Sequence, residues 1–372
     1  MTRIAAVHPV LPPNVYDQAE ITDRFAAYCL GEPDGGVDRA AKHALVRRLH
    51  TSASVSRRHL ALPIDRYLEL DGFGAANDAF IEVATELGGQ AILGALDEAG
   101  LRPDQVDYVV STTVTGAAVP SIEARIATEV GLRPDVRRVP LFGLGCVAGA
   151  SGLARLHDLL RGDPKAVGVL LSVELCSLTV QRDDPSTANL VASGLFGDGA
   201  AAVVARGAGG HATSSPDGQP TVQVLDTRSR LYPDSERTMG FDVTSGGLRI
   251  VLDAAVPSVV NQYIRDDVDG FLAGHGLTRA DIGWWVCHPG GPKVIEALED
   301  ALEVPRDAVQ LTWDSLARIG NLSSASVLHV LEDTLRDRPP PPGSYGVVLA
   351  MGPGFCSELV LVRSDSPENG AA

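Results

Sequence analysis

The chain has 372 residues, 45% of them hydrophobic, and a formal net charge of −16 at pH 7. This length is enough for a large buried core and for two domains or two fused halves, and the composition is too apolar for a disordered chain. The negative charge argues against nucleic-acid binding, which requires a basic surface.

No apolar run reaches the ~18 residues of a membrane-spanning helix, so stable membrane insertion is not expected. The segment 1–13 is too short and too rich in proline for a secretory signal, which predicts a cytoplasmic protein. Five cysteines form no CxxC pair, and no pair of Cys or His has zinc-ligand spacing. We therefore expect reduced thiols and no metal site.

The N-terminal part of the chain alternates helical and strand patterns. Residues 77–101 carry apolar side chains at helical spacing, which predicts one long amphipathic helix. Strands are predicted at 106–116, 167–175 and 200–204. The Gly/Pro-rich segment 207–220 predicts a boundary between two halves, residues 1–206 and residues 207–372.

The second half repeats this alternation. The predicted elements are a strand at 221–227, a helix at 248–264, a strand at 284–287, helices at 291–302 and 323–335, and a hairpin of 345–351 with 355–363. The tail after Arg363 is expected to be disordered. Strands alternating with helices in both halves predict an α/β architecture.

Cys146 lies between a glycine-containing turn and the start of a predicted helix. Gly143 and Gly145 allow a sharp turn, and the helical pattern then runs from Val147 to Gly162. The free N–H groups and the dipole of a helix N-terminus favour an anion, so this setting predicts a lowered thiol pKa and a nucleophilic cysteine. The alternative is a buried structural cysteine.

Two further polar residues follow predicted apolar elements. His288 comes directly after the strand at 284–287, where the active sites of α/β folds gather, and can act as an acid, a base or a hydrogen-bond donor. Asn321 precedes the helix that begins near Ser323. The alternatives are a solvent-facing loop histidine and a helix-capping asparagine.

The ordered combination of five motifs resembles the type III polyketide synthases, the chalcone synthase-like family, from about residue 40 to residue 363. These motifs are GCVAGASGLARLHDL around Cys146, GLFGDGAAAVV at 194–204, HPGGPKVI at 288–295, GNLSSASVL at 320–328 and GPGF at 352–355. The resemblance implies a thiolase-like αβαβα fold of two similar halves. It also implies a homodimer, acyl-CoA and malonyl-CoA as substrates, and no metal or other cofactor.

The resemblance assigns a role to each candidate residue. Cys146 would hold the acyl group as a thioester, and His288 would keep its thiolate charged by an ion pair. His288 and Asn321 would donate hydrogen bonds to the malonyl thioester oxygen, stabilising the enolate formed when CO2 leaves, as an oxyanion hole does. Phe196 resembles the family's gatekeeper aromatic, with core packing as the alternative.

Other positions match the lining of the family's substrate pocket. The second gatekeeper Phe of the plant enzymes falls at Ile250, which suggests a different pocket shape, and a plant Thr falls at Cys176. The remaining pocket positions are Thr115, Val119, Thr179, Gly240 and Ser323. Cys176 with Thr115 resembles the bacterial alkylpyrone and alkylresorcinol synthases, which implies a fatty acyl starter and a cyclised pyrone or resorcinol product.

The CoA entrance of the family is only partly matched. Segment 53–59 keeps Arg57 and Arg58, in the most basic stretch of an acidic chain, and arginine can bind phosphates with two N–H groups. The alternative is a solvated cationic face. A Lys at the start of the family's motif is absent here, so an acyl-carrier-protein donor stays open.

Two other functions compete with this interpretation. A β-ketoacyl-acyl-carrier-protein synthase III also uses Cys, His and Asn but condenses once and stops. HPGGP after His288 and the C-terminal GPGF favour the polyketide synthase. A non-catalytic condensing-enzyme partner subunit usually lacks the nucleophile, whereas Cys146, His288 and Asn321 are all present.

Overall fold

The computed structural model describes residues 1–30, 37–182, 184–209 and 221–365. The strands in these residues are β1 (Thr2–Val10), β2 (Asn14–Asp17), β3 (Arg57–Leu60), β4 (Tyr108–Thr113), β5 (Arg137–Phe142), β6 (Val167–Leu175), β7 (Asp198–Gly207), β8 (Val222–Leu231), β9 (Met239–Thr244), β10 (Gly247–Leu252), β11 (Ile282–Cys287), β12 (Tyr345–Gly352) and β13 (Cys356–Ser364). The helices are α1 (Gln18–Leu30), α2 (Val37–Ser52), α3 (Gly72–Glu98), α4 (Ile122–Val130), α5 (Ala148–Gly162), α6 (Thr187–Leu195), α7 (Val256–Ala273), α8 (Pro292–Leu302), α9 (Gln310–Ile319) and α10 (Ser326–Asp337).

Nine strands form one mixed sheet in the order β11-β12-β13-β8-β1-β7-β6-β4-β5. β4 pairs in parallel with β5 and β6, whereas β1 pairs antiparallel with both β7 and β8. The N-terminal strand β1 therefore joins the strands of the two halves, and β5 is an edge of the sheet.

The helices and the sheet form the five layers that the family resemblance implies. On one outer side, α3 and α4 pack on β4, β6 and β7. On the other, α7 and α8 pack on β11, β12 and β13. Between them, apolar side chains of α5 and α10 contact strands from both halves, as Leu153, Leu156, Leu328 and Leu331 do. The predicted αβαβα architecture is confirmed.

Helix α3 is long and apolar enough, by length and composition, to cross a membrane. Its Phe80, Ala84, Leu87 and Ala91 are nevertheless buried and pack against the sheet and α4. This placement fits the core helix of a globular domain.

The predicted elements agree with the structure except at a few places. Residues 248–252 of the predicted helix 248–264 form strand β10, and helix α7 begins only at Val256. β9 and β10 form a two-stranded hairpin that the sequence analysis missed. No element was predicted from the sequence at β1, β2, β3, β5, α1, α2, α4, α6 and α9. Most of the predicted boundary segment, 210–220, and the tail from 366 lie outside the described residues, so the division at residue 207 stays a prediction.

Candidate active site

Cys146 lies in a tight turn that leads into α5. Gly143 and Gly145 have positive φ angles of 90° and 55°, which glycine adopts without steric cost. A side chain at Gly145 would also approach Pro353 to 2.8 Å, so the connection between β12 and β13 packs directly against this turn. The turn thus fixes Cys146, whose side chain is 6% exposed.

His288 directly follows β11, as the sequence predicts. Its backbone N–H donates to the carbonyl of Leu349 on β12 at 2.9 Å, which continues the strand pairing by one residue. The side chain is 2% exposed, and neither ring nitrogen has a hydrogen-bond partner among the described residues. Both nitrogens are therefore available to a bound substrate.

Asn321 is fixed from both sides. Its backbone N–H donates to Leu195 at 2.9 Å, and its carbonyl accepts from Gly197 at 2.9 Å, so it pairs with the chain around Phe196. Its side-chain oxygen accepts from the Ser323 N–H at 2.8 Å. The side-chain NH2 group is therefore left to donate to other acceptors. This NH2 group lies 3.5 Å from the Gly290 carbonyl, a weak contact.

Cys146, His288 and Asn321 line one cavity of about 370 Å³, here called the smaller cavity. A neighbouring cavity of about 510 Å³, the larger cavity, also contains Cys146. Phe196 lines both cavities, so it stands at the border between them. This is the place that the resemblance assigns to a gatekeeper aromatic.

The protonation of the site differs from the prediction. Burial raises the pKa of Cys146 to about 12, and hydrogen bonding to the Ser323 and Asn321 side chains acts in the opposite direction without reversing the shift. Burial likewise lowers the pKa of His288 to about 3. The direction of this shift is opposite to the lowered thiol pKa that the sequence predicts, because desolvation opposes either charge alone.

Most of the predicted pocket residues do line the larger cavity. They are Thr115, Cys176, Thr179, Phe196, Gly240, Ile250 and Ser323. Val119 is the exception, since it lies on the surface with 95% of its area exposed. The prediction that Val119 lines the pocket of its own chain is therefore wrong.

The two predicted CoA-binding arginines have different environments. Arg57 is exposed, whereas Arg58 is 1% exposed and donates hydrogen bonds only to interior acceptors. Arg58 is therefore no part of a surface entrance, and its prediction as a CoA ligand is wrong. Successive side chains of a strand point to opposite faces, so β3 turns one arginine outward and the next inward.

Several lining residues were missed by the sequence analysis. Met239, Phe241 and Leu252 come from the β9–β10 hairpin, which forms one wall of the larger cavity. Two β-branched, alternating segments joined by Thr244-Ser245-Gly246-Gly247 are a hairpin signal that was available in the sequence.

Glu174, also missed, lies fully buried behind the cavity wall. Its carboxylate accepts from the Thr115 hydroxyl at 2.8 Å and from the Val114 N–H at 3.0 Å. Burial raises its pKa, and its charge contributes to the raised pKa of Cys146. It fixes the orientation of Thr115 in the wall of the larger cavity.

Comparisons with known proteins identify the family of this chain. Residues 2–209 match the N-terminal domain of the chalcone and stilbene synthases, and residues 223–366 match their C-terminal domain. A 1,3,6,8-tetrahydroxynaphthalene synthase of Streptomyces peucetius subsp. caesius is 56% identical over 97% of this chain and 93% of its own. A 3,5-dihydroxyphenylacetyl-CoA synthase of Streptomyces toyocaensis is 33% identical over 97% of this chain and 90% of its own.

Among solved structures, the crystal structure of 1,3,6,8-tetrahydroxynaphthalene synthase from Streptomyces coelicolor A3(2), a bacterial type III polyketide synthase, superposes with a TM-score of 0.88. It is 28% identical and covers 98% of this chain and 100% of its own. Both domain matches and this overlap extend over nearly every described residue. The chain therefore belongs to the chalcone and stilbene synthase family, the type III polyketide synthases.

Proposed function

We propose that this enzyme, a decarboxylating condensing acyltransferase, builds an aromatic polyketide from malonyl-CoA on Cys146. The observation that carries the proposal is the smaller cavity, where the sulfur, the unpartnered imidazole of His288 and the amide of Asn321 face one space. It shares Cys146 and Phe196 with a larger, mostly apolar cavity, which would give the growing chain room.

Loading begins with the Cys146 thiolate attacking the carbonyl carbon of an acyl-CoA. A carbon–sulfur bond to Cys146 forms, the bond to CoA breaks, and the CoA thiolate takes a proton from His288. Burial opposes a lone thiolate or a lone imidazolium, whereas the two together carry no net charge. We therefore propose that proton transfer from Cys146 to His288 forms both charges at once.

Extension is driven by decarboxylation of the malonyl group. The carbon–carbon bond to the malonyl carboxylate breaks, CO2 leaves, and the electron pair becomes a thioester enolate. N–H groups of His288 and Asn321 donate to its oxygen, and loss of one such donor costs about 2.7–4 kcal/mol of transition-state stabilisation. The enolate carbon attacks the acyl-Cys146 carbonyl and releases the thiolate. This sequence requires no metal or organic cofactor.

For the product, we propose 1,3,6,8-tetrahydroxynaphthalene or a closely related polyhydroxylated aromatic. The support is 56% identity to the Streptomyces peucetius tetrahydroxynaphthalene synthase over 97% of this chain. The ten ring carbons of tetrahydroxynaphthalene correspond to five two-carbon units with oxygen on alternate carbons. Malonyl-CoA alone can supply all five units. Malonyl-CoA would then be both starter and extender.

A fatty acyl starter with a pyrone or resorcinol product is the second candidate. Cys176 and Thr115 line the larger cavity, and its walls are mostly apolar, as an alkyl chain requires. This candidate predicts that medium or long acyl-CoAs are preferred over malonyl-CoA as starters.

Entry of CoA and assembly complete the proposal. Arg57 remains the proposed contact to CoA phosphates, and a carrier-protein donor is an alternative source of the starter.

Members of the family generally act as homodimers. For this chain we propose that the exposed edge strand β5, with Phe142 60% exposed, and the exposed Val119 belong to the dimer interface.

Incubating the protein with malonyl-CoA alone, and with a panel of acyl-CoAs, tests these candidates by the mass of the products. We expect a pentaketide aromatic from malonyl-CoA alone and none from Cys146→Ala. Preferred use of long acyl-CoAs would replace this proposal by the fatty acyl candidate. A single β-keto product would indicate the synthase III-like alternative, and no turnover by the wild type would indicate a non-catalytic subunit.

A further inference from the structure

Arg58 is a buried cation behind Phe196, which lines both cavities of the active site. Its Nε donates to Gln18 Oε1 at 3.1 Å, Nη1 to the Phe196 carbonyl at 2.6 Å and Nη2 to the Ser193 carbonyl at 2.7 Å. Gln18 in turn donates to the Gly194 carbonyl at 2.6 Å. All three guanidinium nitrogens are thus used in the interior, and none faces a surface where CoA phosphates enter.

These acceptors form an unbroken series at the C-terminal end of α6. The carbonyls of residues 193 and 196 accept from Arg58, that of 194 accepts from Gln18, and that of 195 accepts from the backbone N–H of Asn321. The last carbonyls of a helix lack partners within the helix and carry its negative dipole end. A cation is therefore well placed to hold them.

The aliphatic stem of Arg58 is packed as tightly as its head. A Cβ added at Gly320 would lie 3.1 Å from both Cγ and Cδ of Arg58 and 2.8 Å from the Leu195 carbonyl. A Cβ added at Gly197 would likewise lie 2.6 Å from the Ile319 carbonyl oxygen. The segment carrying Phe196 and the segment carrying Asn321 are therefore pressed together beside Arg58.

The charge of Arg58 is balanced inside the protein. Asp198, 0% exposed, interacts electrostatically with Arg58 and accepts from the Ser177 N–H at 2.8 Å. Ser177 follows Cys176 in the wall of the larger cavity. The pair thus links two walls of the active site, and removing one member leaves the other charge buried without compensation.

We propose that Arg58 is a positioning residue that sets the placement of Phe196 relative to Asn321, and thereby the rate of malonyl decarboxylation and condensation. The inference rests on the proposed function, because it assigns the enolate-stabilising role to Asn321. Arg58 itself touches no substrate.

Steady-state kinetics of Arg58→Lys and Arg58→Met with two thioesters tests this role. Malonyl-CoA carries the nucleotide phosphates, whereas the malonyl thioester of N-acetylcysteamine carries none. Lysine keeps the charge beside Asp198 and most of the stem, but one ammonium group cannot reach all three acceptors. Arg102→Lys, at a side chain that is 72% exposed, is the matched control.

We expect kcat of Arg58→Lys to fall at least about tenfold with both thioesters, with KM changed less than about twofold. Malonyl decarboxylation falls by the same factor, while alkylation of Cys146 by iodoacetamide keeps its wild-type rate. Arg102→Lys behaves as the wild type. Should Arg58→Met fail to fold, Arg58→Lys alone decides the outcome.

Two results would overturn the proposal. A raised KM confined to malonyl-CoA would make Arg58 a phosphate contact, and an unchanged kcat with a lower melting temperature would make it purely structural. Decarboxylation by the wild type is the reference, so the comparison holds whatever aromatic product is formed. Absence of wild-type decarboxylation would contradict the proposed function instead.

Discussion

At the scale of single residues, the site is distinguished by which polar atoms lack partners. Both ring nitrogens of His288 are buried without a hydrogen-bond partner in the described residues, and the thiol of Cys146 has only weak contacts, among them the Ser323 hydroxyl at 3.7 Å. Unpaired buried polar groups are costly, and those of His288 belong to a residue that lines the same cavity as Cys146. This pattern favours catalysis over a structural role for Cys146.

Replacing His288 with alanine should slow the alkylation of Cys146 by iodoacetamide at pH 7 at least about tenfold. Burial raises the pKa of the thiol to about 12, so the reactive thiolate is populated only when an imidazolium forms beside it. A tenfold effect corresponds to about 1.4 kcal/mol. The rate is read from the mass of the labelled peptide, with Cys146→Ala reporting labelling of the other thiols. Equal rates in wild type and variant would show that no ion pair forms.

The residue types of the catalytic site were predictable, but the direction of individual side chains was not. A cysteine before a helix and a histidine after a strand are recognisable from local patterns. Arg57 and Arg58 are identical in type and adjacent, yet only one is exposed, because the pairing of β3 with β2 fixes which face is inside. The surface position of Val119 likewise depends on tertiary contacts.

At the scale of elements, the approach of α5 to the turn before α10 sets the geometry of the site. A Cβ at Gly149 would lie 2.2 Å from the Ser324 carbonyl oxygen and 2.6 Å from Val327. Cys146 precedes α5, and Asn321 precedes that turn. Close packing at Gly149 therefore holds the sulfur and the amide near one cavity.

Gly149→Ala should destabilise the protein by about 1–3 kcal/mol, because a rigid backbone atom occupies the added methyl's space. Turnover of malonyl-CoA should fall at least about tenfold even where the variant is folded. Gly89→Ala on α3 is the control, since its nearest neighbour lies 3.7 Å away and alanine favours a helix by up to ~1 kcal/mol. Urea denaturation and steady-state rates give both values. A fully active Gly149→Ala of wild-type stability would contradict this packing argument.

The elements that were predicted from the sequence are those whose hydrophobic periods are clear. The exceptions have physical causes. Residues 248–252 continue into a helical pattern, and only pairing with β9 makes them a strand. β1 lies in the middle of the sheet, but its pairing with β7 and β8 joins residues about 200 positions apart, which local sequence does not encode.

At the scale of the whole molecule, five packed layers bury several titratable groups. Burial lowers the pKa of His50 and of His329 to about 4, and that of His288 to about 3, against an ordinary value of 6.5. Burial raises the pKa of Asp198 from 3.8 to about 6. The folded protein therefore keeps the histidines neutral in a range where the unfolded chain protonates them.

The free energy of unfolding should fall as the pH is lowered from about 6.5 to about 4. In this window the unfolded chain binds more protons at the three histidines, while Asp198 binds its proton more tightly in the folded state and offsets one of them. The net difference of about two protons near pH 5 corresponds to roughly 3 kcal/mol per pH unit for these four groups.

The variant His329→Gln tests how much one histidine contributes to the pH dependence of the free energy of unfolding. His329 is 3% exposed on α10, contacts the Ala200 carbonyl at 3.0 Å and lies outside the proposed catalytic set. Between pH 6 and 5 the variant should lose stability more slowly than the wild type, by about 1.4 kcal/mol per pH unit at most. Urea denaturation at pH 7.5, where the histidine is neutral in both states, gives the baseline cost of the substitution. Parallel stability curves for variant and wild type would mean that His329 takes up no proton on unfolding.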